Sequence, residues 1–326
     1  MEVQVVSMDR WTYAAVSGML ASLGLCGSLF YIYCLISPRK EHGRSKQPLK
    51  LLLGSMVGSN CFLQIILVVH NCKDAFCTPW DFDIAVSAIK NLAAGVNMFS
   101  GVWTSMFFYT QIVPARHNFS IWLKRNIKTV VYCALALHCV HVSVHLAMEF
   151  SLMYNFMSST LGSPHTTNRT GFSGNITQCM SVSVSALPMS VELMAVEGVM
   201  VAMLWLALAL TMASSSATVC YLWGHIKNME ASGSSFSPQL RSQMRVTIAG
   251  FVQGLLYLLC SMFVFIMLVF IFTKTIYFDP EERMILTAYS VYSFGTTVNL
   301  GVGQTLFRQR VGALAGKVRD WCSTQG

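Results

Sequence analysis

Charge is scarce in this sequence, and acidic residues are scarcer than basic ones. Charged residues fill 11% of the 326 positions, with 14 Asp and Glu against 22 Lys and Arg, whereas soluble domains carry about 25% charged residues. Hydrophobic residues fill 54% of the chain, and the mean hydropathy is +0.54. This composition excludes an ordinary soluble domain and predicts an all-α membrane protein.

Features that other functions require are also missing. There is no catalytic constellation such as a G-x-S-x-G elbow, so we predict no enzyme activity and no cofactor. The net charge of +8 lies in short loops between apolar runs, and there is no nucleic-acid-binding motif, so nucleic acid is not a predicted partner. No internal repeat is visible and the apolar runs are nearly free of proline, which disfavours a seven-span transporter, the alternative from a different class.

Three histidines in one apolar run pose the question of a metal site. His138, His141 and His145 are spaced three and four residues apart, which places them on one face of a helix. The one acidic residue in the run is Glu149, four residues after His145 and near the outer rim. Hydrogen bonding between packed helices is therefore favoured, and no metal is predicted.

Seven apolar runs are long enough to cross a hydrocarbon core about 30 Å thick, which takes about 20 helical residues. They lie at about 12–36, 51–70, 85–113, 129–150, 190–223, 246–272 and 284–307. We therefore predict one domain over residues 1–326, a seven-transmembrane helix bundle in contact with membrane lipid. A short amphipathic helix on the membrane surface is predicted within 311–321.

The loops between these runs alternate in charge, which predicts the orientation. Most of the 22 Lys and Arg lie after the first, third and fifth runs and in the C-terminal tail. Because cytoplasmic loops are enriched in Lys and Arg, the N-terminus is predicted outside and the C-terminus in the cytoplasm. The location expected for this multi-pass protein is the plasma membrane.

The long connection at 151–188 is polar and is predicted to lie outside. It contains sequons at Asn168 and Asn175, which are glycosylated only on the lumenal side. Three cysteines are also on this side, Cys72, Cys77 and Cys179, and three cysteines allow one disulfide with one left over.

Two acids fall within the outer part of the fifth run, Glu192 and Glu197. A charge at bilayer depth costs about 2.5–3.5 kcal/mol on insertion scales unless it faces a cavity or a partner. Glu197, the deeper of the two, is therefore predicted to face an outward-opening cavity. The alternative is a hydrogen bond to a neighbouring helix.

Two segments carry a family resemblance. One is the pair Phe108-Tyr109 with the Q-I-V-P run at 111–114 and the I-W-L-K-R-N-I run at 121–127. The other is an L-W-x-H pattern that begins at Leu222 and has a methionine four residues after its histidine. They resemble the type 2, or bitter, taste receptors, which are G protein-coupled receptors, and most of all the fish members.

Two more segments are similar to the same family, and three positions depart from it. The run at 251–257 resembles an F-x-x-x-L-x-Y pattern, and the segment at 303–308 resembles a G-N-x-K-L-K ending, with Gln304 in place of the Asn. Gly-Ser at 27–28 replaces a usual Asn, and Ser-Asn at 59–60 replaces a usual Ser-Arg. Type 1 vomeronasal receptors share the short N-terminus and remain the alternative, but the L-W-x-H pattern favours taste receptors.

The resemblance implies that a small bitter molecule binds in an outer cavity of the bundle and that a heterotrimeric G protein is activated at the inner end. The ligand contacts that it implies are Asn91, Asn97, Met98, Tyr257 and Tyr289. Glu197 joins them because it is predicted to face the same cavity. The side chains expected to couple to the G protein are Tyr109, Gln111, Pro114, Arg116, Trp223, His225, Arg245 and Arg308. By likeness to seven-span receptors, the disulfide is expected between Cys77 and Cys179.

Overall fold

The computed structural model describes residues 5–36, 47–73, 80–114, 118–161, 191–231, 238–273, 277–278 and 283–325. Apart from two short strands, β1 (Val5–Val6) and β2 (Tyr277–Phe278), these residues are almost entirely helical. The helices are α1 (Arg10–Ile36), α2 (Gln47–Lys73), α3 (Trp80–Ile112), α4 (Asn118–Leu161), α5 (Val191–Ala231), α6 (Pro238–Thr273), α7 (Arg283–Gly303) and α8 (Thr305–Gln325). The prediction of an all-α membrane bundle is confirmed.

The bundle has two distinguishable ends. At one, β1 pairs in parallel with β2, so that the segment before α1 lies beside the segment between α6 and α7. We name this the strand end. At the other, α8 follows α7 after a single residue, Gln304, and we name this the α8 end.

A local cap begins α1 at the strand end. The Thr12 backbone N–H donates to Asp9 Oδ2 at 2.8 Å, and the Tyr13 backbone N–H donates to the Asp9 carbonyl at 3.0 Å. Aspartate is among the preferred N-cap residues because its carboxylate satisfies a free N–H of the first turn. The Thr12 backbone hydrogen bond lowers the pKa of Asp9 below its usual value. Arg283 Nη1 donates to the Met8 carbonyl at 3.2 Å and so ties the start of α7 to this cap.

Five of the described helices are long and apolar enough to cross a membrane, and α3 and α7 are not among them. The five segments are Arg10–Ile36, Leu51–Cys72, Ile121–Met148, Trp205–Asn228 and Met244–Met267. Polar side chains interrupt α3 and α7, and the structure buries these side chains inside the bundle, as with Asn97 and Ser100 in α3 and Ser293 and Thr296 in α7. Because a polar group exposed to lipid is costly, polar side chains within a bilayer face the bundle interior.

Large apolar side chains cover the outside of the bundle instead. Leu137 on α4 is 69% exposed, and Leu259 on α6 and Leu206 on α5 are also exposed. Lipid tails are as apolar as leucine, so a helix gains nothing by hiding such side chains from them. The α4 segment has the smallest share of buried residues among the five that could span the membrane, and α7 contacts α1, α2 and α6 together.

Several predicted boundaries differ from the structure. The fourth run was predicted at 129–150 and the connection after it from 151, but α4 runs over Asn118–Leu161, and α6 begins at Pro238 where the sixth run was predicted from 246. The seventh apolar run was expected to reach residue 307, but α7 ends at Gly303. The amphipathic helix expected within 311–321 is longer and runs over Thr305–Gln325. The Gln304 N–H bonds to the Leu300 carbonyl at 3.0 Å and the Arg308 N–H to the Gln304 carbonyl at 3.2 Å, so helical bonding passes almost unbroken through the junction and the apolar pattern gives no sign of it.

Candidate functional site: the polar centre of the bundle

Asn97 links three helices at the centre of the bundle. Its side chain is fully buried; Nδ2 donates to the Met56 carbonyl of α2 at 3.2 Å, and Oδ1 accepts from the Tyr292 hydroxyl of α7 at 2.8 Å. Both ends of the amide are therefore bonded to neighbouring helices. Asn97 holds α3 between α2 and α7, and its contact with a ligand stays a prediction.

Three of the other predicted ligand residues meet in one cluster. Met98 of α3 and Tyr257 of α6 are buried together with Leu208 of α5 and Tyr292 of α7, and Tyr289 packs against the same cluster. These side chains come from four helices, so the cluster links α3, α5, α6 and α7 inside the bundle. We name it the aromatic cluster.

The remaining predicted ligand residues are only partly placed. Asn91 lies in the first half of α3 and Glu197 in the first half of α5, so both are toward the strand end. Their side chains lie outside the described part of the structure. The same is true of the whole of Cys77, Asn168, Asn175 and Cys179, so the disulfide and the glycosylation sites stay predictions.

The residues expected to couple to a G protein lie at the α8 end wherever the structure describes them. Tyr109 and Gln111 are half-buried near the end of α3, and Pro114 is exposed just after it. Arg116 lies outside the described residues.

The other helices place their coupling candidates at the same end. On α5, Trp223 is 66% exposed, and the His225 ring lies 6.3 Å from that of Tyr221. Arg245 is half-buried on α6, and Arg308 is exposed on α8. Exposed tryptophan beside basic residues is typical of a helix end at the membrane surface.

A cavity at the α8 end was not anticipated from the sequence. It is small and partly open to solvent, with a water-accessible volume of about 30 Å³. Its walls come from α2, α3, α6, α7 and the junction to α8, and its polar lining consists of Thr104, Ser105, Gln253, Asn299 and Gln304. The sequence feature that could have indicated this cavity is the presence of two amide side chains, Gln253 and Asn299, inside runs otherwise rich in apolar residues.

A second buried polar group joins α1, α2 and α7. Asn60 Nδ2 donates to Thr297 Oγ1 at 2.8 Å and to the Ser293 carbonyl at 3.2 Å, and Asn60 Oδ1 accepts from Ser293 Oγ at 2.8 Å. One turn further along α2, Gln64 Nε2 donates to the same Thr297 hydroxyl at 2.9 Å. Sequence reasoning noted Ser-Asn at 59–60 only as a departure from a family pattern.

His138 of α4 packs against α3. The His138 ring stacks on Phe99 with centroids 4.2 Å apart and planes inclined by 7°, close to Gly95. His138 is therefore used in helix packing.

The fold defines the class first: the described residues form an all-α membrane bundle with a buried polar centre, and the family match that follows makes it a G protein-coupled receptor. The family model described as taste receptor protein (TAS2R) matches residues 8–310, which covers α1 to α7 and the start of α8. The chain belongs to this type 2 taste receptor family, the family that the L-W-x-H pattern favoured over vomeronasal receptors. No curated protein matches the chain.

Proposed function

We propose that this chain is a bitter taste receptor that binds small molecules at the strand end and activates a heterotrimeric G protein at the α8 end. The observation that carries the proposal is the taste receptor match over residues 8–310, because receptors of this family are expected to bind small ligands and couple to G proteins. The aromatic cluster supports it, since it joins four helices between the two ends.

The proposed orientation places the strand end outside the cell and the α8 end in the cytoplasm, with α1 to α7 crossing the plasma membrane. Exposed basic side chains at the α8 end support this arrangement, among them Lys124 and Arg125 at the start of α4, Lys227 on α5 and Arg308 on α8. Lys and Arg are enriched in cytoplasmic segments.

A hydrogen-bonded path runs from the aromatic cluster toward the α8 end. Tyr292 is a member of the cluster, donates to Asn97 at 2.8 Å, and accepts from Gln253 Nε2 at 3.4 Å. Gln253 lines the cavity at the α8 end. An agonist that moves the cluster would therefore reorganise the wall of that cavity, provided that it binds the active packing more tightly than the resting one.

The proposed ligand is a small, mostly apolar molecule with one or two polar groups. Met98, Tyr257 and Tyr289 offer an adaptable apolar and aromatic surface. Glu197 is proposed to pair with the amine of cationic agonists, because an amine offsets the desolvation of a buried carboxylate and a neutral ligand does not.

The test of the proposed function is a calcium assay in cells that express this chain with a promiscuous taste-type G protein, across a panel of bitter compounds. We expect concentration-dependent responses that cells without the receptor do not give. A receptor shown to reach the cell surface that answers no compound of a broad panel would contradict the proposal.

The proposed charge pairing has its own test in the same assay. Glu197→Gln should weaken amine agonists by ten- to a hundredfold, at about 1.4 kcal/mol for each tenfold, and leave neutral agonists unchanged. Equal shifts for both classes of agonist would show that Glu197 does not recognise ligand charge.

A further inference from the structure

The contact between α6 and α7 at the α8 end rests on two amide side chains. Asn299 Nδ2 donates to the Ala249 carbonyl at 2.8 Å and to Gln253 Oε1 at 3.1 Å. Gln253 Nε2 in turn donates to Thr296 Oγ1 at 2.9 Å and to the Tyr292 hydroxyl at 3.4 Å. Because both hydrogens of each NH₂ group are used across the contact, the two amides fix the position of α6 along α7.

The two backbones also approach closely at this point. Gly303 of α7 faces Ala249 of α6, and a β-carbon added at Gly303 would overlap the Ala249 methyl group. Small residues allow membrane helices to approach in this way. The contact therefore has no side-chain volume to spare between α6 and α7 at Gly303.

On its other side, the same stretch of α6 borders the cavity at the α8 end. Ala249, Gly250 and Gln253 are wall residues on α6, and Ser105 of α3 lies across from Gly250. A β-carbon at Gly250 would still be 3.7 Å from Ser105 Oγ, so α6 is not tightly packed against α3 here. Close-packed elements move as discrete units between alternative packings, and a helix that borders unfilled space loses few contacts when it moves.

We propose that Asn299 is a positioning residue that holds the α8-end half of α6 against α7 in the resting receptor. The holding contact, which we name the α6–α7 latch, consists of Asn299, Gln253, Ala249 and Gly303. When its hydrogen bonds break, α6 moves away from α7 and the cavity opens to the cytoplasm. The inference rests on the proposed function, because the opened end is what a G protein would bind.

The latch sets the level of signalling without agonist. A hydrogen bond between membrane helices contributes modestly, on average about 0.6 kcal/mol. Breaking the two bonds of Asn299 should therefore raise the agonist-independent signal by roughly five- to tenfold where the active state is rare at rest. A raised signal distinguishes this role from a merely structural one, since a misfolded receptor signals less.

The first experiment compares two half-buried asparagines. Asn299→Leu should raise the basal signal per receptor at the cell surface. Asn71→Leu is the matched control, because Asn71 also makes two hydrogen bonds from Nδ2, to Ser17 Oγ and the Leu67 carbonyl, but at the strand end. An unchanged basal signal in Asn299→Leu, or an equal rise in Asn71→Leu, would overturn the proposal.

The second experiment separates α6 from α7 by volume. Gly303→Ala places a methyl group where the Ala249 methyl group lies, so the helices must part and the basal signal should rise. Adding Ala249→Gly removes the overlap and should return the signal to the wild-type level. If the single variant signals as wild type does, or if the second substitution restores nothing, the close approach is not part of the latch.

The third experiment needs no G protein and no agonist. Ser105 is 6% exposed and lines the cavity, so a cysteine there reports whether the cavity is open. In inside-out membranes, a charged thiol reagent should label Ser105→Cys several times faster when Asn299→Leu is also present, after subtraction of labelling in the parent receptors. Faster labelling in a receptor that answers no bitter compound would uphold the latch and reject the proposed function. An unchanged rate in a receptor that does respond would reject the latch alone.

Discussion

α7 makes two unlike contacts on its two sides. Toward α1 and α2 it is held by Asn60 and Gln64, whose side chains are both fully buried and which converge on Ser293 and Thr297. Toward α6 it is held at the α8 end by Asn299 and Gln253, beside a cavity. We name these the α1–α2–α7 contact and the α6–α7 contact.

The difference lies in redundancy. The Thr297 hydroxyl accepts from both Asn60 and Gln64, and the Ser28 hydroxyl of α1 lies 3.4 Å from it. If one of these hydrogen-bond partners of Thr297 is lost, the others still connect the helices. We therefore regard this contact as the fixed side of α7 and name it the platform. The α6–α7 contact also has two amides, but among the described residues only Asn299 bonds to the α6 backbone near the α8 end, beside a cavity. This arrangement suits the proposed breaking and re-forming of the contact.

Sequence departures from the family pattern explain the platform. Glycines at 24 and 27 leave room on α1 for larger neighbours, since a β-carbon at Gly24 would strike the Gln64 amide and one at Gly27 would lie 2.6 Å from Thr297 Cγ2. Ser28 supplies an oxygen for Asn60 Nδ2 at 3.3 Å. Gly-Ser at 27–28 and Ser-Asn at 59–60 are therefore two halves of one uncharged contact.

The largest effect is expected from breaking this platform. Asn60→Leu removes every hydrogen bond that the Asn60 side chain makes to α1 and α7, at about 0.6 kcal/mol for each bond on average, and should destabilise the receptor by roughly 2–3 kcal/mol. The thermal midpoint in detergent should fall and surface expression should drop, with no rise in basal signal per receptor. A rise in basal signal would mean that the platform also moves during activation.

A smaller effect on stability is expected from substitutions on α1 that change only side-chain volume. Gly24→Ala pushes a methyl group into the Gln64 side chain and should lower the thermal midpoint. Gly18→Ala in the same helix meets nothing within 4 Å and should raise the midpoint slightly, because alanine is favoured over glycine in helices by up to about 1 kcal/mol. Equal behaviour of the two variants would contradict the close packing of α1 against α2.

The bundle could be predicted from the sequence because long apolar runs follow directly from membrane solvation, and the family could be predicted from the motifs at 108–127 and 222–229. The internal contacts could not. Hydropathy scores Ser293 and Thr296 only as weakly polar, and no periodicity reveals that Asn299 bonds to Ala249 rather than to a ligand. Asn97 is a further example. Its polarity predicted a ligand contact, but in the structure both its amide nitrogen and its amide oxygen form hydrogen bonds to neighbouring helices.

The distinction between a fixed and a moving side of α7 can be measured directly by spin-label distances at the α8 end, in a cysteine-poor receptor. Labels at Ile248 and Val302 span the α6–α7 contact, and labels at Tyr33 and Val302 span α1 and α7; all three positions are exposed. We expect a bitter agonist to lengthen the first distance and leave the second unchanged. A first distance that stays the same with agonist bound, or a second that changes as much, would contradict the assignment of movement to the α6–α7 contact.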